Sequence, residues 1–203
     1  VGARALIGQR PFVLFWLARV FAMIAHQMLA VAVGWQIYTL TGRALDLGLV
    51  GLAQFLPSFF LVLIAGHVAD HFDRRRVLQL CMVAEAAAAL GLGVASALGI
   101  ISELAIFALI FVVGAARAFQ MPTMQALLPA LVPPQLLSRA IAANASAGQT
   151  AIIAGPALGG IIYVAGPATV YAVSTALFVL TGLMIFLIRI ERRRAPASAP
   201  GLS

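Results

Sequence analysis

Residues 47–100 read LGLVGLAQFLPSFFLVLIAGHVADHFDRRRVLQLCMVAEAAAALGLGVASALGI. A knot of charge and histidine, Ala69–Arg76 with His67 just before it, separates two apolar stretches, Leu47–Val68 and Val77–Ile100. Each stretch is long enough to cross a bilayer, which takes about 20 mostly apolar residues as a helix. Glu85 is the one carboxylate within them. The segment therefore reads as two membrane spans joined by a short charged turn.

The pattern repeats outward in both directions. Charges and turn residues predict a first span over Pro11–Leu40, closed by the polar turn Thr41–Asp46. After Ile100, Ser102 and Glu103 mark a turn with Ser102 as its N-cap, and the fourth span runs over Leu104–Leu128. Pro129–Pro134 is expected to break that helix, because proline lacks a backbone donor and fixes its own φ. The fifth span covers Leu136–Val164, Gly166-Pro167 turns the chain, and the sixth covers Ala168–Ile190. Residues 191–203, rich in arginine and then in Pro, Ala and Ser, read as the start of a cytoplasmic linker. The expected fold class is an all-α membrane protein of six transmembrane helices.

Composition leaves little else. The chain is 63% hydrophobic and only 9% charged, against about 25% charged in a soluble domain. So few charges cannot make a water-facing surface, and a lipid bilayer is the expected surrounding. The first apolar run is too long for a signal-peptide core and lacks a small-residue cleavage pattern. The chain starts at Val1 and closes on a linker-like segment, so it is expected to be a piece of a longer protein.

The net charge of +7 comes from arginine alone. These arginines sit in short runs between spans and not on one soluble face, which argues against nucleic acid as a partner. Arg4, Arg10, Arg74–Arg76, Arg139, Arg189 and Arg192–Arg194 fall on one side of the predicted membrane, and Arg43 falls on the other. By the positive-inside rule both termini are expected in the cytoplasm. A chain rich in alanine and arginine and without lysine suggests a high-GC bacterium, and hence its cytoplasmic (inner) membrane. Cys81 is the single cysteine and reads as a small packing residue. There is no nucleophile elbow, HExxH or phosphate-binding glycine loop. His26, His67 and His71 are not spaced as metal ligands. No enzyme activity, metal or cofactor is expected.

The chemistry must lie inside the bundle. A charge within a span costs several kcal/mol unless paired or wet, so each marks a candidate site. Arg19 lies eight residues after Pro11, Glu85 eight after Val77 and Arg117 eight before Gln125, which puts all three roughly 12 Å inside the arginine-rich boundary at 1.5 Å per residue. Equal depth on three helices suggests that they meet, with Glu85 offsetting the arginines. On the first span Arg19, Met23, His26, Gln27, Ala30 and Gly34 follow three-and-four spacing. On the fourth, Gly114, Arg117, Gln120, Met121 and Met124 do the same. Two such polar stripes, facing away from lipid, can line one cavity, with methionines as an adaptable apolar wall. The fifth span carries Asn144, Gly148, Ala151, Gly155 and Gly159 on one face, a spacing that lets helices approach closely. Pro156 removes one backbone bond there.

These motifs resemble the major facilitator superfamily. Gly66, Asp70, Arg74 and Arg75 match its signature between the second and third helices, with His71 and Asp73 in place of a basic residue and a glycine. Gly148 through Gly155-Pro156-Ala-Leu-Gly159-Gly160 resembles the fifth-helix motif of its exporters and antiporters. Arg117 with Gln120 resembles the fourth-helix motif linked to proton coupling, although Met121 stands where that motif has glycine. The resemblance covers essentially the whole chain and points to the enterobactin-exporter and drug-efflux branch. It implies an N-terminal six-helix half built as a 3+3 inverted repeat, whose partner is a C-terminal six-helix half or a second copy. It also implies that helices one and four line a cavity, and that the Asp70 loop latches against the other half. The function it implies is proton-coupled export of a small amphipathic molecule, a drug or siderophore, by alternating access. Arg19, His26, Gln27, Glu85, Arg117 and Gln120 would be the cavity and coupling residues. The alternatives are a lysophospholipid flippase of the same superfamily and a non-transporting assembly or sensing subunit.

Overall fold

The computed structural model describes Leu6 and residues 8–188. The linker reading of residues 191–203, and Arg4, Arg189 and Arg192–Arg194, lie outside the described residues. Six long helices follow in order: α1 Arg10–Thr41, α2 Ala44–His71, α3 Arg74–Ala97, α4 Glu103–Leu131, α5 Leu137–Tyr163 and α6 Pro167–Leu187. A single 3-10 turn, Pro134–Leu136, leads into α5. All six are long and apolar enough to cross a membrane.

Local chemistry explains most ends. Gly42 closes α1 in the left-handed region, φ 67°, with its N–H on the Tyr38 carbonyl, a conformation glycine adopts without steric cost. Gly166, φ 99°, turns the chain into Pro167. The Ser102 hydroxyl accepts from the Ala105 N–H and caps α4, as a side-chain oxygen at an N-cap does.

Two expected breaks sit elsewhere. The charged segment 69–76 is not a loop. α2 runs to His71 and α3 starts at Arg74, so only Phe72 and Asp73 lie between them. Asp73 accepts from the Arg75 N–H at 2.9 Å and caps α3. Its φ is −63°, so no glycine is required there. Pro129 does not end α4 either, since the helix continues to Leu131 with both Pro122 and Pro129 inside it. Arg74 Nη1 donates to the Ala126 carbonyl at 3.0 Å, adding a donor in the turn that proline weakens.

α1 is the axis of the bundle. It packs broadly on α5 and α6; α3 packs on α6 and α4, and α2 rests chiefly on α4. Buried alanines 18, 22, 25 and 32 give α1 a small-residue surface. α1 and α6 run antiparallel. The Ser174 hydroxyl faces the Ala25 carbonyl at 3.5 Å, and two turns along Thr181 faces Ala18 at 3.2 Å. A buried network of Gln36, Ser96 and Tyr171 ties α1, α3 and α6 near their far end: Gln36 donates to Ser96 at 2.8 Å and Tyr171 donates to Gln36 at 2.6 Å. α2 is the least enclosed helix, with 6% of its apolar window buried.

The glycine stripe of α5 lies against α1. A Cβ on Gly155 would collide with Gln27 Cβ and stand 3.1 Å from its Cγ, and one on Gly159 would stand 3.0 Å from Met28 Cα. A Cβ on Gly148 would stand 3.3 Å from the Met23 methyl. Gly160, next to this seam, is exposed with nothing within 4 Å. Gly155→Ala should therefore destabilise the protein by about 1–3 kcal/mol, the usual cost of overpacking. Gly160→Ala should be neutral or stabilising by up to about 1 kcal/mol, since alanine is the better helix former. Thermal unfolding of the two variants in detergent checks the contrast, and equal melting points would contradict this seam.

Candidate functional site

The two polar stripes meet. A cavity of ≈ 230 Å³ opens between α1 and α4, lined by Arg19, Met23, His26 and Gln27 from one side and Arg117, Gln120, Met121 and Met124 from the other, with Ala22 and Ile152 completing it. Five of the six residues expected to work together line this one space; Glu85 is absent from its wall. Gln120 and His26 are buried, while Arg19, Gln27 and Arg117 are half-buried. Ile152 of α5 was not foreseen, because an exposed isoleucine carries no signal that sets it apart from a lipid-facing one.

Glu85 departs from its expected partners. It is fully buried, and its Oε1 lies 3.1 Å from His26 Nε2. Among the described residues neither Arg19 nor Arg117 has a carboxylate within 4.0 Å. The reason is helix register. His26–Glu85 and Gln36–Ser96 link α1 to α3 at separations of 59 and 60 residues. The residue level with Arg19 on α3 is therefore Leu78, about two turns below Glu85. α1 is 32 residues long, near 48 Å at 1.5 Å per residue, and starts below the first turn of α3, so counting from its start places Arg19 too high against α3.

The His26 ring is held on three sides. Nδ1 lies 2.7 Å from the Ala22 carbonyl. A carbonyl only accepts, so Nδ1 carries a proton. Phe178 of α6 meets the ring edge-on, with centroids 5.0 Å apart. Nε2 then faces Glu85, whose second oxygen, Oε2, is buried without a partner. With Nδ1 already a donor, the contact needs one more proton, on Nε2 or on Oε1. Without it, two acceptors face each other. The imidazole of this pair borders the cavity.

The basic corner between α2 and α3 is tied within this half. Gly66 lies in α2 with open space beside it. Arg74 donates to Ala126 and, at 3.4 Å, to Ala69. Arg75 donates to the Phe186 carbonyl at the end of α6. His67 and His71 stack with centroids 4.0 Å apart. Asp70 lies in the last turn of α2. At the opposite end Arg43 bridges Asp46 at 2.8 Å and Glu103 at 3.0 Å, joining the α1–α2 turn to α4. The hydrogen bond to Asp46, with the charges of both carboxylates, holds the Arg43 guanidinium above its usual pKa.

Comparison with known proteins gives two results. Residues 2–201 match a family described as transmembrane secretion effector. The chain is also 24% identical over 152 residues to macrolide efflux protein A of Streptococcus pyogenes, and equally to that of its serotype M6 strain. The matched region is 75% of this chain and 38% of each relative.

Proposed function

The chain belongs to the transmembrane secretion effector family of the major facilitator superfamily, a multi-pass membrane protein with a six-helix half of that fold, and on this premise we propose that it is the N-terminal half of a proton-coupled exporter. The cargo is a small amphipathic molecule, moved by alternating access in a bacterial cytoplasmic membrane. The carrying observation is the cavity between α1 and α4, with guanidinium, amide and imidazole groups beside three methionines. A mixed wall of this kind suits a ligand with a polar head and an apolar body. Macrolides, for whose efflux the relatives are named, are such molecules.

In this reading the other half of the cavity comes from a C-terminal six-helix half or a second copy. The clustering of Arg10, Arg74–Arg76 and Arg139 at one end of the bundle supports a cytoplasmic position for that end. The His26–Glu85 pair is the proton store. A proton enters through the cavity, joins the pair, and leaves on the other side once the bundle has rocked. Its loss sets Nε2 and Oε1 against each other and favours a different packing of α1 on α3, the kind of bistable contact that drives a conformational switch. Arg19 and Arg117 are the charged groups that line the cavity with His26, and Cys81 lies one turn from Glu85 on α3. α6 brings Tyr171 as its single titratable side chain, held by Gln36.

The test is uphill export of a labelled macrolide from proteoliposomes by the intact protein under an imposed proton gradient. Arg117→Ala is expected to lower it by about tenfold, the worth of one charge-assisted interaction of roughly 1.5 kcal/mol. If Arg117→Ala and Glu85→Gln both leave proton-driven export intact, the coupling assignment is wrong.

A further inference from the structure

We infer that the cavity takes an anionic amphiphile, with its oxyanion head bound between Arg19 and Arg117. The inference rests on reading this cavity as the cargo path and specifies what the cargo is.

Charge accounting carries it. The sequence holds six carboxylate side chains: Asp46, Asp70, Asp73, Glu85, Glu103 and Glu191. Asp46 and Glu103 are paired with Arg43 at the far end of the bundle. Asp70 and Asp73 lie at the α2–α3 corner, where Asp73 caps α3, and Glu191 follows the last span. Among the described residues that leaves Glu85 as the one carboxylate at mid-span, and it meets His26 and does not line the cavity. A hydrogen bond between His26 and Glu85, imidazolium to carboxylate or carboxylic acid to imidazole, leaves the pair neutral overall. The cavity therefore carries two guanidinium groups and no counter-charge from the described residues.

Arg19 displays this directly, because its Nε is buried with no hydrogen-bond partner. A guanidinium at this depth without an anion is costly. Its planar fork of donors matches carboxylate and phosphate oxygens. The remaining wall, Met23, Met121, Met124 and Ile152, is suited to an apolar body. A cationic amphiphile would meet two like charges there and, among the described residues, no carboxylate.

The experiment uses the intact protein in nanodiscs of zwitterionic lipid, with empty nanodiscs as the blank. The probes are radiolabelled decanoate, decyl phosphate and decyltrimethylammonium, which share one chain and differ in the head. Saturable binding of the two anions is expected, at least about tenfold tighter than that of the cation. Arg19→Gln and Arg117→Gln should each weaken the anions by about tenfold. Arg19→Lys and Arg117→Lys should retain most of the affinity, and added salt should reduce it, which separates charge recognition from misfolding. A preference for decyl phosphate would assign a phospholipid-like head, and a preference for decanoate a free carboxylate. Binding of the cation as tight as that of the anions would overturn the inference, as would Gln variants that fold and keep full anion affinity. Binding is read without a proton gradient. A wild type that binds anions yet exports nothing would count against the exporter reading alone, and one that exports only cations would count against this inference alone.

Discussion

Glu85→Gln in the intact protein should abolish uphill, proton-driven export while leaving downhill exchange of the same cargo. Glutamine fills the same volume and can donate a hydrogen bond to His26 Nε2, as a protonated Glu85 would. It cannot release a proton. The variant should therefore fold, bind cargo and exchange it, with an α1–α3 contact that no longer responds to a proton. The expected loss in uphill export is on the order of 100-fold, near the top of what a coupling free energy of about 1–3 kcal/mol supports. Proteoliposomes loaded with labelled cargo and measured with and without an imposed pH gradient read both quantities. Loss of uphill and downhill transport together would point to a structural role for Glu85. Retention of both would remove the pair from the mechanism.

Gly114→Leu should have the largest effect on folding. A Cβ at Gly114 would stand 2.9 Å from the Gln54 carbonyl carbon and closer still to its oxygen. These are backbone atoms of α2, so no side chain can rotate out of the way. Ser58, one turn along α2, also donates to the Gly114 carbonyl at 3.3 Å. α2 has α4 as its main support, so forcing the two apart frees one side of the bundle. The cost is expected at or above the upper end of the roughly 1–3 kcal/mol typical of overpacking. Thermal unfolding of the intact variant in detergent, beside Gly160→Ala, measures it. A melting point equal to that of the wild type would contradict the α2–α4 crossing.

The six helices were legible in the sequence because lipid imposes a coarse and strong rule. Runs such as Leu47–Val68 leave little alternative to a spanning helix. The cavity was legible for a similar reason: polar residues at three-and-four spacing on apolar helices must face inward, and Arg19, His26, Gln27, Arg117 and Gln120 do line one space. What sequence could not supply was register and azimuth. Depth counted from helix ends brought Glu85 level with Arg19, whereas packing brings it level with His26. Helix ends misled in the same way. Pro129 reads as a breaker, yet in the last turns of α4 the helix tolerates it. The charged residues Ala69–Arg76 suggested a loop, although two helices with a two-residue corner satisfy the same sequence.

The central claim is that cargo passes through the space between α1 and α4. The most direct test is thiol labelling of Gln120→Cys in the intact protein, with Cys81 and any other cysteine replaced by alanine. Gln120 lines the cavity and is 5% exposed, so a charged methanethiosulfonate reagent reaches it only through that space. The account predicts that labelling blocks proton-driven export and that cargo slows the labelling. Rapid labelling that cargo does not slow, with export unchanged, would contradict it.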